Sequence, residues 1–341
     1  MMNSPIFPWQ EGAWRQLQQL RERLPHAILF HGAEGIGKTQ FAERFAQSLL
    51  CETPAPDGHG CGQCASCGWF GQYGHPDYRR VRPEVLDEDE GAEPEEEGNG
   101  KKAAKAPSKD IRIDQIRALA DFMNISTHRQ GKRVITLYPA EALNAASANA
   151  LLKTLEEPPP QTMFLLVSNS LDRLLPTILS RCRKFALALP TRGEALAWLV
   201  AQEVKDADVW LAEQGGAPLA AYAVSQTDAR EGMDDFLRQL AQPGIDGALK
   251  TADRLQKTPV VDLVAWLQRW LYDVFSLKFS GRIRYYPRYR KDLSLLAQQV
   301  ETGKLLHAIK AVNERRAIAE HPLSAKLFIE DMLLDYSKLF S

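Results

Sequence analysis

His31-Gly32-Ala33-Glu34-Gly35-Ile36-Gly37-Lys38-Thr39 is the stretch that decides the fold. It follows a short apolar run, Ala27-Ile28-Leu29-Phe30, and precedes a helical pattern over residues 41–50. Gly32, Gly37, Lys38 and Thr39 fit the pattern G-x-x-x-x-G-K-[ST], with Gly35 between them. Glycines let backbone N–H groups turn onto phosphate oxygens, a lysine reaches the terminal phosphates, and a threonine hydroxyl can ligate Mg²⁺. The helix that starts here adds the positive end of its dipole. The strand–loop–helix context predicts a nucleotide-binding loop set in an α/β domain. What the flanking sequence must answer is whether this loop hydrolyses its nucleotide or only holds it.

On the N-terminal side, Trp14, Leu17, Leu20 and Leu24 recur at three- and four-residue steps and predict a helix stopped by Pro25. On the C-terminal side come Cys51, Cys61, Cys64 and Cys67, spaced C-x9-C-x2-C-x2-C. Such tight gaps let backbone N–H groups face the thiolates and let four sulfurs close a tetrahedron around Zn²⁺. A site with no open position is structural, not catalytic. His59 and His75 lie close by, but four cysteines suffice. The chain has five cysteines in 341 residues and a formal net charge of −1, so any nucleic-acid contact must come from a local patch. No apolar run approaches the ~20 residues that span a bilayer. The first ten residues lack a basic-then-apolar signal, so the expected compartment is the cytoplasm, where thiols stay reduced.

Residues 83–110 differ in kind. Asp87-Glu88-Asp89-Glu90 and Glu95-Glu96-Glu97 are followed by lysines spaced with Ala, Pro and Gly, a composition that predicts a disordered acidic insertion. Order resumes with an amphipathic helix over 113–123, then strand candidates at 133–137, 163–167 and 184–187 separated by helical segments. This alternation predicts a parallel sheet covered on both faces. Beyond Pro190 the periodicity is helical throughout: 195–204, 211–224, 233–240, 305–312 and 327–340. The strongest stripe is Leu263, Trp266, Leu267, Trp270, Leu271, Val274 and Phe275, whose tryptophans read as core.

Hydrolysis needs a carboxylate at the end of a neighbouring strand to help hold Mg²⁺, and a further group that positions water. The strand 134–137 stands in that place and ends in Tyr138-Pro139, so its tip carries no carboxylate. Glu141, three residues on, is the candidate substitute, expected inside the next helix. Ser180-Arg181-Cys182 precedes the last strand, where an arginine can act as a finger on phosphate charge. Arg282, Arg284, Tyr285, Tyr286, Arg288, Tyr289, Arg290 and Lys291 mix cations with aromatics as single-strand binders do, although a solvated loop or subunit contact is the plainer reading.

Asn149-Ala150-Leu151-Leu152-Lys153-Thr154-Leu155-Glu156-Glu157-Pro158-Pro159 and Leu175-Pro176-Thr177-Ile178-Leu179-Ser180-Arg181-Cys182 resemble signatures of the AAA+ clamp-loader subunits of bacterial DNA polymerase III. With the phosphate loop and the cysteine module they cover most of the first 190 residues. The motor branch of that family, gamma/tau, has Asp-Glu where this chain has Tyr138-Pro139. His75-Pro76-Asp77-Tyr78, the helix over 113–123 and the short C-terminal region look like the delta-prime branch, and leave no room for the long tau extension.

The resemblance implies an AAA+ P-loop domain (1–189) with its zinc module (51–67), a helical lid (190–229) and an all-helical collar (230–341). It implies a five-membered ring with gamma/tau and delta subunits, acting on a sliding clamp and primer-template DNA. In such rings the Ser-Arg-Cys arginine reaches a neighbour's ATP, which assigns Arg181 a role in trans. Leu219, after Gly215-Gly216-Ala217-Pro218, stands where active members carry a sensor arginine. The expectation is a largely non-hydrolysing subunit whose Gly32, Gly35, Gly37, Lys38 and Thr39 are able to bind ATP and Mg²⁺. The alternatives are an active ATPase of the gamma/tau type, with Glu141 standing in, and a P-loop small-molecule kinase.

Overall fold

Strands that are apolar on both faces have to sit inside a covered sheet. The sheet here has five strands, β1 (Ala27–His31), β2 (Tyr78–Val81), β3 (Arg133–Leu137), β4 (Thr162–Ser168) and β5 (Arg183–Ala186), of which the two edge strands β2 and β5 carry charged, partly exposed residues. The strands pair in parallel in the order β2-β3-β4-β1-β5. β3 and β4 are buried along their whole length. The computed structural model describes residues 6–88, 107–128, 131–227, 229–319 and 324–340. They fall into two compact units, Met1–Pro190 and Thr191–Ser341. Among the described residues no helix is long and apolar enough to cross a membrane.

In the first unit the helices are α1 (Glu11–Gln19), α2 (Lys38–Leu50), α3 (Ala65–Gly71), α4 (Val85–Glu88), α5 (Ile113–Asn124), α6 (Ala145–Glu156) and α7 (Pro176–Arg181). Alternation along the strands sorts them onto two faces. Leu29, Ile135, Leu137, Phe164 and Leu166 pack with Ile116 of α5, Leu151 of α6 and Ile178 of α7. Phe30 turns the other way, with its ring edge-on to Phe41 and Phe45 of α2 at 5.5 and 6.4 Å. Trp14 of α1 meets the same two rings at 5.7 and 6.2 Å. Thus α2, and the loop that starts it, lie on the face opposite α5, α6 and α7.

The second unit is all helical: α8 (Arg192–Ala201), α9 (Ala207–Glu213), α10 (Pro218–Ser225), α11 (Ala229–Ala241), α12 (Ile245–Leu255), α13 (Val260–Ser280), α14 (Arg290–Gln299), α15 (Thr302–Ile318) and α16 (Ala325–Ser337). Thr191 and Glu194 close a reciprocal cap at the start of α8, each side chain accepting the other's backbone N–H at 3.3 and 2.9 Å. One apolar cluster runs from Leu199 of α8 and Trp210 of α9 through Phe236, Leu263 and Trp270 to Met332 of α16. Both sides of the 229/230 division therefore share a core.

Several elements differ from the sequence reading. The first helix spans Glu11–Gln19, not 14–24: the Leu20 N–H bonds Leu17 O at 3.1 Å, and Arg21–Arg23 forms a 3-10 turn before Pro25. The segment 211–224 is two helices, parted where Gly215 and Gly216 adopt φ of 65° and 93° ahead of Pro218. Glu141 lies in a separate 3-10 turn, Ala140–Ala142, not in the next helix. The insertion expected over 83–110 is folded at both described ends. Residues of α4 follow Pro83, the Val85 N–H bonds Ser108 O at 3.2 Å, and Arg82 pairs with Asp87 at 2.6 Å. Residues 89–106, most of that stretch, lie outside the described residues.

The centre of the second unit holds a polar chain. The buried Trp270 Nε1–H donates to the Tyr336 hydroxyl at 2.9 Å, which donates to Leu240 O at 2.8 Å. Burial raises the Tyr336 phenol well above its ordinary range, which keeps it a donor at any working pH. Tyr336→Phe leaves two buried partners unmet and is expected to cost about 1–3 kcal/mol, whereas Trp270→Ala also opens a cavity and costs about 3–5 kcal/mol. Urea titration followed by tryptophan fluorescence and by circular dichroism checks both values.

Candidate nucleotide and metal sites

The phosphate loop leaves the carboxyl end of β1 and winds into α2, with Gly37 as the residue before the helix at φ 86°. Gly32 and Gly37 are demanded by space as well as by angle. A Cβ at Gly32 would stand 2.3 Å from Leu187 O, and one at Gly37 would stand 2.5 Å from the Phe7 ring. The loop is braced from outside. Trp9 Nε1–H and Gln10 Nε2–H both donate to Ile36 O at 3.0 Å, and Gln10 Nε2–H also reaches Gly37 O at 2.9 Å. These bonds occupy carbonyls and leave the loop N–H groups to point at a phosphate.

Lys38 is buried, and its Nζ donates to Ala33 O at 2.5 Å. Burial pushes its ammonium down to about 8, against the opposing pull of the Glu34 and Glu141 carboxylates. His31 is likewise lowered, first by burial and then by Lys184 and Lys38. Lys38 and Lys184 thus place positive charge at the mouth of the loop, a field suited to polyphosphate, and they hold His31 toward its neutral form.

At the tip of β3, Tyr138 is buried and its hydroxyl donates to Glu43 Oε1 of α2 at 3.4 Å, while Arg82 Nη1–H reaches the phenol oxygen at 3.4 Å. A phenol held between α2 and β2 fills the place of a strand-tip carboxylate. Glu141 does not stand at that tip. Its Oε1 accepts the Asn169 N–H at the end of β4, at 2.9 Å.

Arg181 ends α7. Its Nη1–H donates to Thr177 O at 3.0 Å, its Nη2 pairs with Glu156 at the end of α6, and its side chain is 31% exposed. β5 begins two residues later, with Arg183 opposite Ile28. Arg181 therefore sits at the amino edge of the sheet, and the phosphate loop leaves the carboxyl edge. A strand as long as β1 separates them, roughly 13 Å at 3.3 Å per residue. The fifth cysteine, Cys182, is buried in the core, and burial pushes its thiol up to about 11.

The four module cysteines are brought together, with all Sγ atoms within 4.8 Å of one another and Cys51 to Cys64 at 3.9 Å. N–H groups face the sulfurs: Cys61 N to Cys51 at 3.2 Å, Cys64 N to Cys61 at 3.3 Å, Cys67 N to Cys64 at 3.4 Å. The Thr53 side chain and the Gln63 and Cys64 N–H groups hold the Cys61 thiol down to about 6, whereas burial pushes Cys51 and Cys67 up. The arrangement can hold one metal ion. Neither histidine joins it. His59 stacks on Trp14 at 4.2 Å, and His75 is a buried tie. Ser66 Oγ–H donates to Leu50 O at 2.6 Å and accepts from His75 Nε2 at 2.6 Å, while His75 Nδ1 accepts the Asp77 N–H at 3.0 Å. This locks α3 to β2. The sequence reading placed His75 beside the cysteines and in the run His75-Pro76-Asp77-Tyr78, and neither pattern carries its contact with Ser66.

In the second unit, Leu219 is the second residue of α10, which opens at Pro218. The Arg/Tyr stretch is pinned by Asp273, fully buried in α13. Its two carboxylate oxygens accept the Arg284, Tyr285 and Tyr286 N–H groups at 2.7–3.2 Å. Tyr286 is buried, Tyr285 leans on Tyr272 and Tyr289 on Trp270. The tyrosines serve the core, and Arg282, Arg284, Arg288, Arg290 and Lys291 are left to solvent.

Because Lys38 is charged at neutral pH in an unfolded chain and desolvated in the folded one, it destabilises the empty loop. The unfolded state binds more protons between about pH 8 and 10.5, so stability rises with pH across that window. Lys38→Met is expected to stabilise the nucleotide-free chain by about 1–3 kcal/mol at pH 7, with the gain shrinking above pH 8. Thermal unfolding at pH 7 and pH 10 measures both.

Residues 9–191 match the family model described as DNA polymerase III, delta subunit, and residues 230–338 match the one described as DNA polymerase III, delta subunit, C terminal. The chain is 36% identical over 286 residues to DNA polymerase III subunit delta' of Pseudomonas aeruginosa, covering 81% of this chain and 79% of that protein. It is 34% identical over 319 residues to the delta' subunit of Haemophilus influenzae, covering 92% and 90%. With DNA polymerase III subunit tau of Bacillus subtilis it shares 29% identity over 235 residues, 68% of this chain but 36% of that protein. The chain belongs to the DNA polymerase III delta' family.

Proposed function

We propose that this chain is the delta' subunit of a bacterial clamp loader. In this reading it is a largely non-hydrolysing member of a five-subunit ring with gamma/tau and delta, supporting the loading of a sliding clamp onto primer-template DNA. The first unit is its AAA+ domain, residues 190–229 its lid and 230–341 its collar. Its chemical contribution is Arg181, offered to the ATP of a neighbour.

The observation that carries the reading is the position of Arg181. It lies at the amino edge of the sheet and ends a helix on the face opposite α2. From there it cannot serve a nucleotide on its own Gly32–Thr39 loop, so a phosphate contact by this side chain has to be made in trans. The second support is what the chain's own loop lacks: Tyr138-Pro139 at the β3 tip, and Leu219 in place of a sensor arginine. A guanidinium finger stabilises the charge that spreads over the transferred phosphoryl oxygens. Without the strand-tip carboxylate, Gly32, Gly35, Gly37, Lys38 and Thr39 keep the parts that bind a nucleotide and lose those that turn it over. An active gamma/tau-type ATPase remains the second reading, favoured by Glu141.

For the metal, zinc is the ion the donor set fits. Zn–S bonds of about 2.3 Å put sulfurs about 3.8 Å apart around a tetrahedron, close to the Cys51–Cys64 separation. Four thiolates leave no position for substrate, so zinc would act as a structural tie for the loop between α2 and α3.

Two outcomes test these assignments. Arg181→Ala, placed in the reconstituted complex, is expected to remove the turnover of the one site facing this chain, a loss on the order of 10³-fold at that site. Unchanged DNA- and clamp-stimulated ATP hydrolysis would contradict the trans role. Cys64→Ser is expected to lower zinc from one equivalent per chain to near none by elemental analysis, with the circular dichroism of the sheet retained. A wild-type chain purified metal-free and equally stable would refute the zinc assignment.

A further inference from the structure

The β3 tip has no carboxylate, yet one is carried to the phosphate loop from another direction. Glu141 belongs to the 3-10 turn that follows Pro139. The Asn169 N–H holds its Oε1 at 2.9 Å. Asn169 follows Ser168, the last residue of β4, and Ser168 stands opposite His31, the last residue of β1. The carboxylate is therefore drawn off its own strand and hung on the strand that adjoins the loop. Its second oxygen, Oε2, is buried and has no hydrogen-bond partner among the described residues. A buried carboxylate oxygen with no donor leaves a place for a water or a cation, and this one lies beside the phosphate loop. Lys38 senses this carboxylate, as it does Glu34.

We infer that Glu141 Oε2 replaces the missing strand-tip carboxylate in holding Mg²⁺, directly or through one water, for a nucleoside polyphosphate seated on the Gly32–Thr39 loop. Mg²⁺ takes oxygen ligands, keeps several waters, and is commonly held by one carboxylate plus substrate phosphates. Thr39, in the first turn of α2, supplies the hydroxyl expected beside it. What stays absent is a second group to activate water, since Pro139 occupies the next position after Tyr138. The loop then keeps a resident Mg²⁺-nucleotide rather than consuming it. This rests on the reading that the loop binds nucleotide at all.

Calorimetric titration of the full chain with ADP and with the non-hydrolysable analogue AMPPNP, each with and without Mg²⁺, separates the claims. Wild type should bind both, with Mg²⁺ tightening the affinity by about tenfold or more, the scale on which changes around a metal act. Glu141→Gln should bind Mg²⁺-free nucleotide at least as well as wild type and lose the Mg²⁺-dependent gain. Lys38→Ala should lose binding in either condition. Thermal unfolding without nucleotide confirms that each variant is folded, and Glu141→Asp, which keeps the charge, should recover part of the gain if the fold is intact. A full Mg²⁺ gain in Glu141→Gln overturns this inference and leaves nucleotide binding standing. No binding by wild type overturns both.

Discussion

The parallel pairing of β1 between β4 and β5 is the constraint from which the first unit follows. Its hydrogen bonds fix His31 opposite Ser168 and Ile28 opposite Arg183. One pairing thus puts the phosphate loop and Asn169 at the carboxyl edge of the sheet, and Arg181 at the other edge. Parallel strands have no polar face to give to solvent, so helices must cover both sides. Phe41 and Phe45 bring α2 onto one face, and Ile116, Leu151 and Ile178 bring α5, α6 and α7 onto the other. Function is divided by the same geometry. A phosphate held by the loop and a phosphate touched by Arg181 belong to two different sites.

The nucleotide site is consequently unequal in its parts. The residues proposed to recognise phosphate come from local sequence, namely the loop and the start of α2, and the whole G-x-x-x-x-G-K-[ST] pattern is present. The groups that hydrolysis would need come from strand tips some hundred residues away, and at the β3 tip Tyr138-Pro139 offer no carboxylate. Tyr138 spends its hydroxyl on Glu43 and Arg82. That contact ties α2 to the ends of β2 and β3, so this position serves packing. The Asn169 amide holds the Glu141 carboxylate on the side of the loop.

What was legible in the sequence follows the range of the interactions involved. β3 was readable because Val134, Ile135 and Leu137 are apolar and Thr136 is β-branched, and α13 because its stripe keeps a 3.6-residue period over two tryptophans. The cysteine module was readable because its ligand spacing is local. α12 was missed because its buried face is Ala248, Thr251, Ala252 and Leu255, too small and polar to mark a stripe. α14 was missed because the Arg/Tyr run before it masks Leu293 and Leu296. The break between α9 and α10 was misread because apolar residues continue on both sides of Gly215-Gly216, and only their backbone angles reveal the turn. The orientation of Glu141 and the locking of His75 by Ser66 depend on contacts between distant segments, which no local pattern carries.

The central claim is that this chain holds a nucleotide without turning it over and acts on its neighbour's. The most direct test is a single-turnover experiment. Purified chain in excess over radiolabelled Mg²⁺-ATP is sampled by acid quench over minutes to hours. The account predicts that the nucleotide is recovered as ATP. Conversion of the bound ATP to ADP and phosphate, abolished in Lys38→Ala, would contradict it and make the chain an ATPase in its own right.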